Sequence, residues 1–382
     1  MDARRAGMGT KNLRQNGELT IAVHWLPRRC PWVQWEHPTS AGERRIRTYN
    51  VSLVGFGNVA RAFVGLLRRK QEELAHGYGI GLRITGIASR RLGWLVASDG
   101  FALEKLLAAD FSQAVGASGI REWLQAAKAD ALLEATSLNA ATGQPAIDHI
   151  RAALEAGAHA ISANKGPVVH AFRELTALAA SRGRRFLFES AVMDGVPIFS
   201  LFRDAMPAVE VRGFYGILNS TTNVVLEGME AGMSLEEAVV EAQRLGVAES
   251  DPSDDIDGVD AAVKVVALAN VLMGADLGID DVERTGIRGL TSAQLREARS
   301  AGEAWKLVCS AKLEANGRVA GTVRPQRLKL EDPLAQVRGT SSVICFETDI
   351  LPRLIITEQD PGLETTAYGL LADFLTAVRG SP

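Results

Sequence analysis

The chain has 382 residues, 47% of them hydrophobic and 23% charged, with a formal net charge of −3. That length and apolar content suit two globular domains, and the near-neutral balance leaves no basic footprint for nucleic acid. The most apolar stretch, Val265 to Ala275, is flanked by Lys264 and Asp276 and contains Asn270. It falls well short of the ~18 residues that span a bilayer, so a membrane is excluded as partner. Three scattered cysteines, Cys30, Cys309 and Cys345, offer neither a disulfide framework nor a paired metal knuckle. They suit a reducing, cytoplasmic setting.

Residues 1–47 are rich in Arg, Trp and His and carry no sustained period of 2 or 3.6. They contain no apolar core of secretory length, and Glu18, Glu36 and Glu43 speak against a transit peptide. The expectation is a disordered extension, with folding from about Thr48.

Tyr49 to Val54 reads as a buried strand running into Gly55-Phe56-Gly57-Asn58-Val59-Ala60. A helix follows over Val59 to Lys70, with Ala62, Phe63, Leu66 and Leu67 at helical spacing, then a strand over Leu82 to Ala88. In this context the glycine run is a dinucleotide fingerprint. Gly55 permits the tight turn, Gly57 lets backbone approach a pyrophosphate, and Ala60 lets the helix pack on the strand. A NAD site usually ends the second strand with Asp or Glu, but here it ends in Ser89-Arg90-Arg91. Two guanidiniums suit a 2′-phosphate and favour NADP, with NAD possible. The plainer reading of Arg90 and Arg91 is a solvated charge pair.

The alternation continues. Ala131 to Ala135 reads as a strand ending in Thr136-Ser137-Leu138, followed by a helix from Pro145 to Ala156. The strand Ala158 to Ser162 ends at Asn164-Lys165, the helix Val169 to Ser181 follows, and then the strand Phe186 to Glu189. The expected class is α/β, with a Rossmann-type doubly wound nucleotide-binding domain over 48–190. Ligands sit beyond the carboxyl ends of such strands, which puts Thr136, Ser137, Asn164 and Lys165 in the cleft and Lys165 towards the nicotinamide.

An α+β catalytic domain is expected over 191–339. In Ile217-Leu218-Asn219-Ser220-Thr221-Thr222-Asn223 a strand gives way to a helix that the hydroxyls can cap, and Ser234-Leu235-Glu236-Glu237 is a capping box. The stretch from Glu249 to Lys264 matches a calcium loop at Ser253, Asp255, Asp257 and Gly258, but puts Lys264 where that loop needs a bidentate Glu. The calcium reading is rejected. Lys264 instead sits in AAVKVVALANVLM, a helix apolar nearly all round, with Asp260 one turn before it. A lysine so placed has a carboxylate partner or a lowered pKa, either of use in proton transfer. Glu249 and Asp255 are carboxylates that could hold a substrate ammonium. The plainer reading is an i,i+4 salt pair closing a helix start.

VGFGNVA, SANKGP, the ES-to-GVP segment, GILNSTTN and AESDPSDDIDGVDAAVK together resemble the homoserine dehydrogenase family over roughly residues 48–380. The resemblance implies NAD(P)H-dependent reduction of L-aspartate 4-semialdehyde to L-homoserine, on the route to threonine and methionine. It implies Glu249, Asp255, Asp260 and Lys264 lining the substrate site, Lys165 between cofactor and substrate, and Gly362 near the cofactor. Lys264 with Asp260 would orient the substrate and Lys165 would act as acid/base, although the residues alone leave the two lysines interchangeable. It also implies a monovalent cation such as Na+ near Glu189, Val192, Asp194 and Val196, largely through backbone carbonyls. A homodimer is implied through strands around 205–217 and 305–325.

Two departures stand out. Met193-Asp194 interrupt a run that is usually glycine-rich, and a GAG-like turn survives only partly as Asp360-Pro361-Gly362. A helix to about Val378 follows it, and the segment 340–380 is expected to pack back on the nucleotide domain. The extra C-terminal regulatory domain of longer forms is not expected, nor is threonine feedback through it. The alternatives are a sister dehydrogenase of another small amino or hydroxy acid, and a dinucleotide-binding sensor without catalysis. A phosphorylating semialdehyde dehydrogenase is disfavoured, because no cysteine lies near the motifs.

Overall fold

The computed structural model describes residues 46–112 and 114–379. The expectation placed on residues 1–45, and Cys30 with it, lies outside the described residues. The nucleotide half comprises β1 (Arg47–Val54), α1 (Asn58–Tyr78), β2 (Ile80–Ser89), β3 (Gly93–Val96), α2 (Leu103–Leu107), β4 (Val115–Ala117), α3 (Ile120–Ala126), β5 (Ala131–Glu134), α4 (Ala146–Glu155), β6 (His159–Ser162), α5 (Gly166–Ser181) and β7 (Phe186–Leu187). The second half comprises β8 (Val211–Ile217), α6 (Ser220–Glu230), α7 (Leu235–Arg244), α8 (Ser253–Ile256), α9 (Val259–Leu272), β9 (Glu283–Arg284), α10 (Ser292–Ser300), β10 (Glu303–Leu313), β11 (Val319–Lys329), α11 (Pro333–Gln336), β12 (Ser342–Thr348), β13 (Leu354–Glu358) and α12 (Leu363–Arg379). No described helix is long and apolar enough to cross a membrane.

The first sheet has the order β4-β3-β2-β1-β5-β6-β7. Strands β2, β1, β5, β6 and β7 are parallel, and β3 and β4 run antiparallel at one edge. Both faces are covered, which is why these strands read as continuous apolar runs. Val51 and Leu53 share a core with Phe63 and Leu67 of α1, while Leu132 packs with Ile150 and Ala153 of α4. The winding reverses between β1 and β5, so a crevice opens at their carboxyl ends.

Two local readings change. Helix α1 runs eight residues past Lys70, because Leu74 lies two turns beyond Leu67 on the same buried face. Strand β7 stops at Leu187, and Glu189–Ala191 forms a 3₁₀ turn. There the Glu189 carboxylate accepts the Phe199 and Ser200 N–H groups at 2.7 and 2.8 Å.

The second sheet has the order β13-β12-β8-β10-β11-β9 and is mostly antiparallel. Helix α9 packs between β10 and β11 on one side and α5 on the other. Its small apolar residues Ala261, Ala262, Val265 and Val266 allow that approach, and all are fully buried. Of the segment 340–380, β12 and β13 lie in this second sheet, and only α12 returns to the nucleotide half, against α1. The return is strong because α12 presents an apolar face. Phe374 is fully buried and meets Tyr49 edge-on at 5.8 Å. Beside it, Asp373 accepts the Glu189 N–H at 2.7 Å, and burial with the nearby Glu189 carboxylate pushes it up to about 8.

Phe374→Ala is expected to lower unfolding stability by about 3–5 kcal/mol, measured by urea titration. A loss below about 1 kcal/mol would mean that α12 docks without that ring.

Candidate active site

The nucleotide end is built by the β1–α1 turn. Gly55 has φ +87°, and a Cβ there would lie 2.4 Å from the Ala135 carbonyl carbon and oxygen. Only glycine lets this turn press against the end of β5. The turn is pinned to β2 by the Gly55 and Phe56 N–H groups, which donate to the Ala88 carbonyl at 2.9 and 3.2 Å. Phe56 and Ala60 are buried and serve packing, Val59 is half-buried, and Gly57 and Asn58 are exposed. A Cβ on Gly57 would meet nothing within 4 Å, and no side chain caps the start of α1. Open backbone and uncapped N–H groups at a helix start fit a pyrophosphate.

Arg90 and Arg91 form the tip of the β2–β3 hairpin, where Ser89 Oγ accepts the Leu92 N–H at 3.2 Å and Gly93 has φ +66°. Both arginines are exposed and have no charged partner among the described residues. The hairpin lies at the carboxyl end of β2, on the edge where a ribose 2′ substituent would arrive.

The other end of the cleft is tied by Asn164. Its Nδ2 donates to the Thr136 and Ser137 carbonyls at 3.1 and 3.3 Å, and its Oδ1 accepts the Gly166 N–H at 2.8 Å. Lys165 is thereby held at the start of α5, facing α9. Lys165 Nζ lies 3.2 Å from Asp260 Oδ1, and Lys264 Nζ lies 3.2 Å from Asp260 Oδ2. One carboxylate therefore stands between two ammonium groups drawn from the two halves. The Lys165, Asp260 and Lys264 side chains keep 19, 18 and 16% exposure, so a ligand can reach them. Lys264 also donates to the Leu218 carbonyl. Asn219 Nδ2 donates to Asp255 Oδ1 at 2.6 Å and to Asp260 Oδ2 at 3.1 Å, joining the second acid to the cluster.

The electrostatics follow from these contacts. Burial works against the Asp260 charge, but Lys165 and Lys264 outweigh it and hold the carboxyl well below the usual range. Burial likewise disfavours the Lys264 ammonium, yet Asp260 more than offsets it and raises the lysine above its ordinary value. Lys264 thus has the carboxylate partner and not the lowered pKa. Burial, with the Asp260 charge, raises Asp255.

Other expected residues make no hydrogen bond to this cluster among the described residues. Glu249 is exposed in the loop after α7, where Gln243 Nε2 holds its carbonyl at 3.0 Å, and its side chain is not among the groups bonded in the cluster. Helix α6 is capped by Asn219, which accepts the Thr222 N–H at 2.8 Å, and not by the hydroxyls. The capping box of Ser234 and Glu237 is present. Gly362 is exposed at the start of α12, where its N–H donates to Thr365 Oγ1 at 3.1 Å. Met193 and Asp194 adopt φ +54° and +51°, and Thr366 Oγ1 donates to Asp194 Oδ1. Val192 is buried, and the Val196 carbonyl accepts the Ile198 N–H at 2.8 Å.

Two participants escaped the sequence reading. Asn219 carried a signal, as an Asn at a strand–helix boundary. Glu358 carried none. It ends β13, and burial together with Asp194 pushes it up to about 7, with Lys264 opposing.

Asp260→Asn is expected to destabilise the protein by about 3 kcal/mol at pH 7. Because the folded carboxyl titrates below its ordinary ~3.9, that contribution is present above this value and fades as pH falls further. Urea midpoints at pH 7 and pH 3 check it, and equal midpoints at pH 7 would remove Asp260 from the charge network.

Residues 55–189 match the NAD-binding domain of homoserine dehydrogenase, and residues 197–375 match the homoserine dehydrogenase family itself. The chain is 36% identical over 335 residues to an NAD(+)-dependent homoserine dehydrogenase of Pseudomonas canavaninivorans, covering 86% of this chain and 95% of that one. It is 32% identical to a homoserine dehydrogenase of Methanocaldococcus jannaschii, covering 85% and 97%. Among solved structures, a homoserine dehydrogenase of Archaeoglobus fulgidus described as putative superposes with TM-score 0.75 at 30% identity, covering 86% of this chain and 98% of that one. A hyperthermophilic archaeal homoserine dehydrogenase in complex with NADPH gives 0.75 at 26%, covering 88% and 99%. With both halves matched and nearly the full length of these relatives covered, the chain belongs to the homoserine dehydrogenase family.

Proposed function

We propose that this chain reduces L-aspartate 4-semialdehyde to L-homoserine, with Lys165 as the acid/base and Lys264 with Asp260 as the substrate-orienting pair. The observation that carries the reading is the Asp260 carboxylate held 3.2 Å from both lysines, beside a nucleotide cleft. When bound, the nicotinamide supplies the hydride. As negative charge develops on the carbonyl oxygen, an ammonium must donate a proton and stabilise the alkoxide. Lys264 already donates to Asp260 and the Leu218 carbonyl, which fixes its direction and suits an orienting role. Lys165 contacts Asp260 and keeps donors free for the substrate oxygen. Asp255, half-buried and tied to Asn219, is suited to the substrate ammonium. Glu249 would join it only if its loop turned inward.

Gly55 to Ala60 would hold the pyrophosphate, Lys165 would face the nicotinamide end, and Thr136, Ser137 and Gly362 would line the cofactor elsewhere in the cleft. Arg90 and Arg91 favour NADPH through the 2′-phosphate, while NADH remains the competing cofactor, since the Pseudomonas relative is NAD(+)-dependent. A monovalent cation would need the carbonyls of Glu189, Val192, Asp194 and Val196. The Val196 carbonyl already accepts a backbone N–H, and the Glu189 carboxylate accepts two. These bonds leave the second lone pair of the Val196 carbonyl available to such a cation. A homodimer through the sheet of β8, β10 and β11, and a cytoplasmic setting, complete the reading. A sister substrate is the second reading. It is favoured by the Asp194 side chain and by the non-glycine residues with positive φ at 193 and 194.

The deciding assay is NADPH oxidation by the purified chain with L-aspartate 4-semialdehyde. Lys264→Ala is expected to abolish turnover while NADPH affinity stays within about threefold. Activity within a few-fold of the parent would overturn the site assignment. Bound NADPH without any parental turnover would favour the sister substrate or a sensor. Separately, Arg90→Ala is expected to weaken NADPH by about tenfold and NADH hardly at all. An unchanged preference would remove Arg90 from cofactor choice.

A further inference from the structure

One buried carboxylate has no part in the mechanism above. Glu134 ends β5 with 0% exposure, and its Oε2 has no hydrogen-bond partner among the described residues. It occupies a strand position two residues from Leu132, on a face that otherwise packs against apolar residues of α4. A carboxylate there carries a desolvation cost that an apolar side chain would not. Its other oxygen makes local contacts. Oε1 accepts the Thr136 N–H at 3.2 Å and the Thr136 hydroxyl, and lies 3.4 Å from His149 Nδ1. His149 is itself set edge-on against Trp94 at 5.9 Å. Thr136 accepts from Asn164 Nδ2 through both its carbonyl and its hydroxyl, at 3.1 and 3.3 Å. Asn164 in turn holds the Gly166 N–H, so its two bonds bracket Lys165. A continuous hydrogen-bonded path thus runs from Glu134 through Thr136 and Asn164 to the backbone that carries Lys165, and Lys165 reaches Asp260.

We propose that Glu134 is a positioning residue: Oε1 sets the Thr136–Ser137 loop and, through Asn164, the placement of Lys165 at the reacting end of the cofactor cleft. The inference rests on the function proposed above. It matters because small displacements of a reacting group are expensive. A misplacement of about 1 Å can lower rate by ~10²-fold.

The test compares Glu134→Gln with Glu134→Ala and Glu134→Leu in the full chain. Gln keeps the Oε1 acceptor; Ala and Leu remove it, and Leu also fills the volume, which protects against failure to fold. The readouts are kcat, KM for the semialdehyde, NADPH dissociation by fluorescence, and Tm. The expected result for Ala and Leu is a kcat loss of at least ~10-fold and NADPH binding weaker by about fivefold, with Gln within about threefold on both. A residue that only supports the fold would lower Tm and leave both constants unchanged well below it. Leu within about threefold of the parent on both constants, or Gln as impaired as Leu, would overturn the proposal. If the parent turns over no semialdehyde, the proposed function fails instead, and the NADPH constants of Gln against Leu still decide the role of Glu134.

Discussion

The Asp260 carboxylate stands 3.2 Å from two ammonium groups that come from different halves of the chain. Without it, Lys165 and Lys264 would repel each other across the seam where α5 meets α9. With it, the two positive charges share one counter-charge and lie close together at an accessible cleft. The arrangement depends on α9 lying deep between α5 and the second sheet. Its alanines and valines bring the backbone close enough for short contacts to span the seam. Asn219, at the start of α6, then adds Asp255 to the same network.

This electrostatic arrangement also bears on the roles proposed for the lysines. Lowering a lysine's pKa by burial would make it a neutral base in the resting protein. Here Asp260 outweighs burial, and Lys264 stays an ammonium. In the reaction proposed above, a charged Lys264 fixed on Asp260 suits the orienting role and leaves Lys165 to meet the alkoxide that forms as hydride arrives. The second tie, Asn164, holds the Lys165 turn to the loop after β5. Lys165 and the Thr136–Ser137 loop therefore share one rigid support.

Much of this was legible in the chain. The glycine fingerprint, the strand–helix alternation and the motif around Asp260 and Lys264 are local patterns, set by turn sterics and helical spacing. The capping box at Ser234 is equally local. Other features were not legible. Glu249 reads as part of the acidic stretch but lies on an exposed loop, since a sequence run does not say which way its loop faces. The segment 340–380 reads as a single return, yet its strands join the second sheet and only α12 crosses back. Strand partners lie far apart in sequence and leave little local trace. Glu134 and Glu358 each end an ordinary-looking strand, and only their neighbours make them unusual.

The sequence by itself determined the family-bearing motifs, the parallel nucleotide-binding half and the i,i+4 pairing of Asp260 with Lys264. These follow from backbone sterics and from the 3.6-residue turn, which act over a few residues. Tertiary structure alone decided that Lys165 reaches the same carboxylate, that Asn219 links the two acids, and that β12 joins the second sheet beside β8. Each of these joins groups tens to hundreds of residues apart. Their distances are set by how sheets and helices stack, which no local pattern encodes.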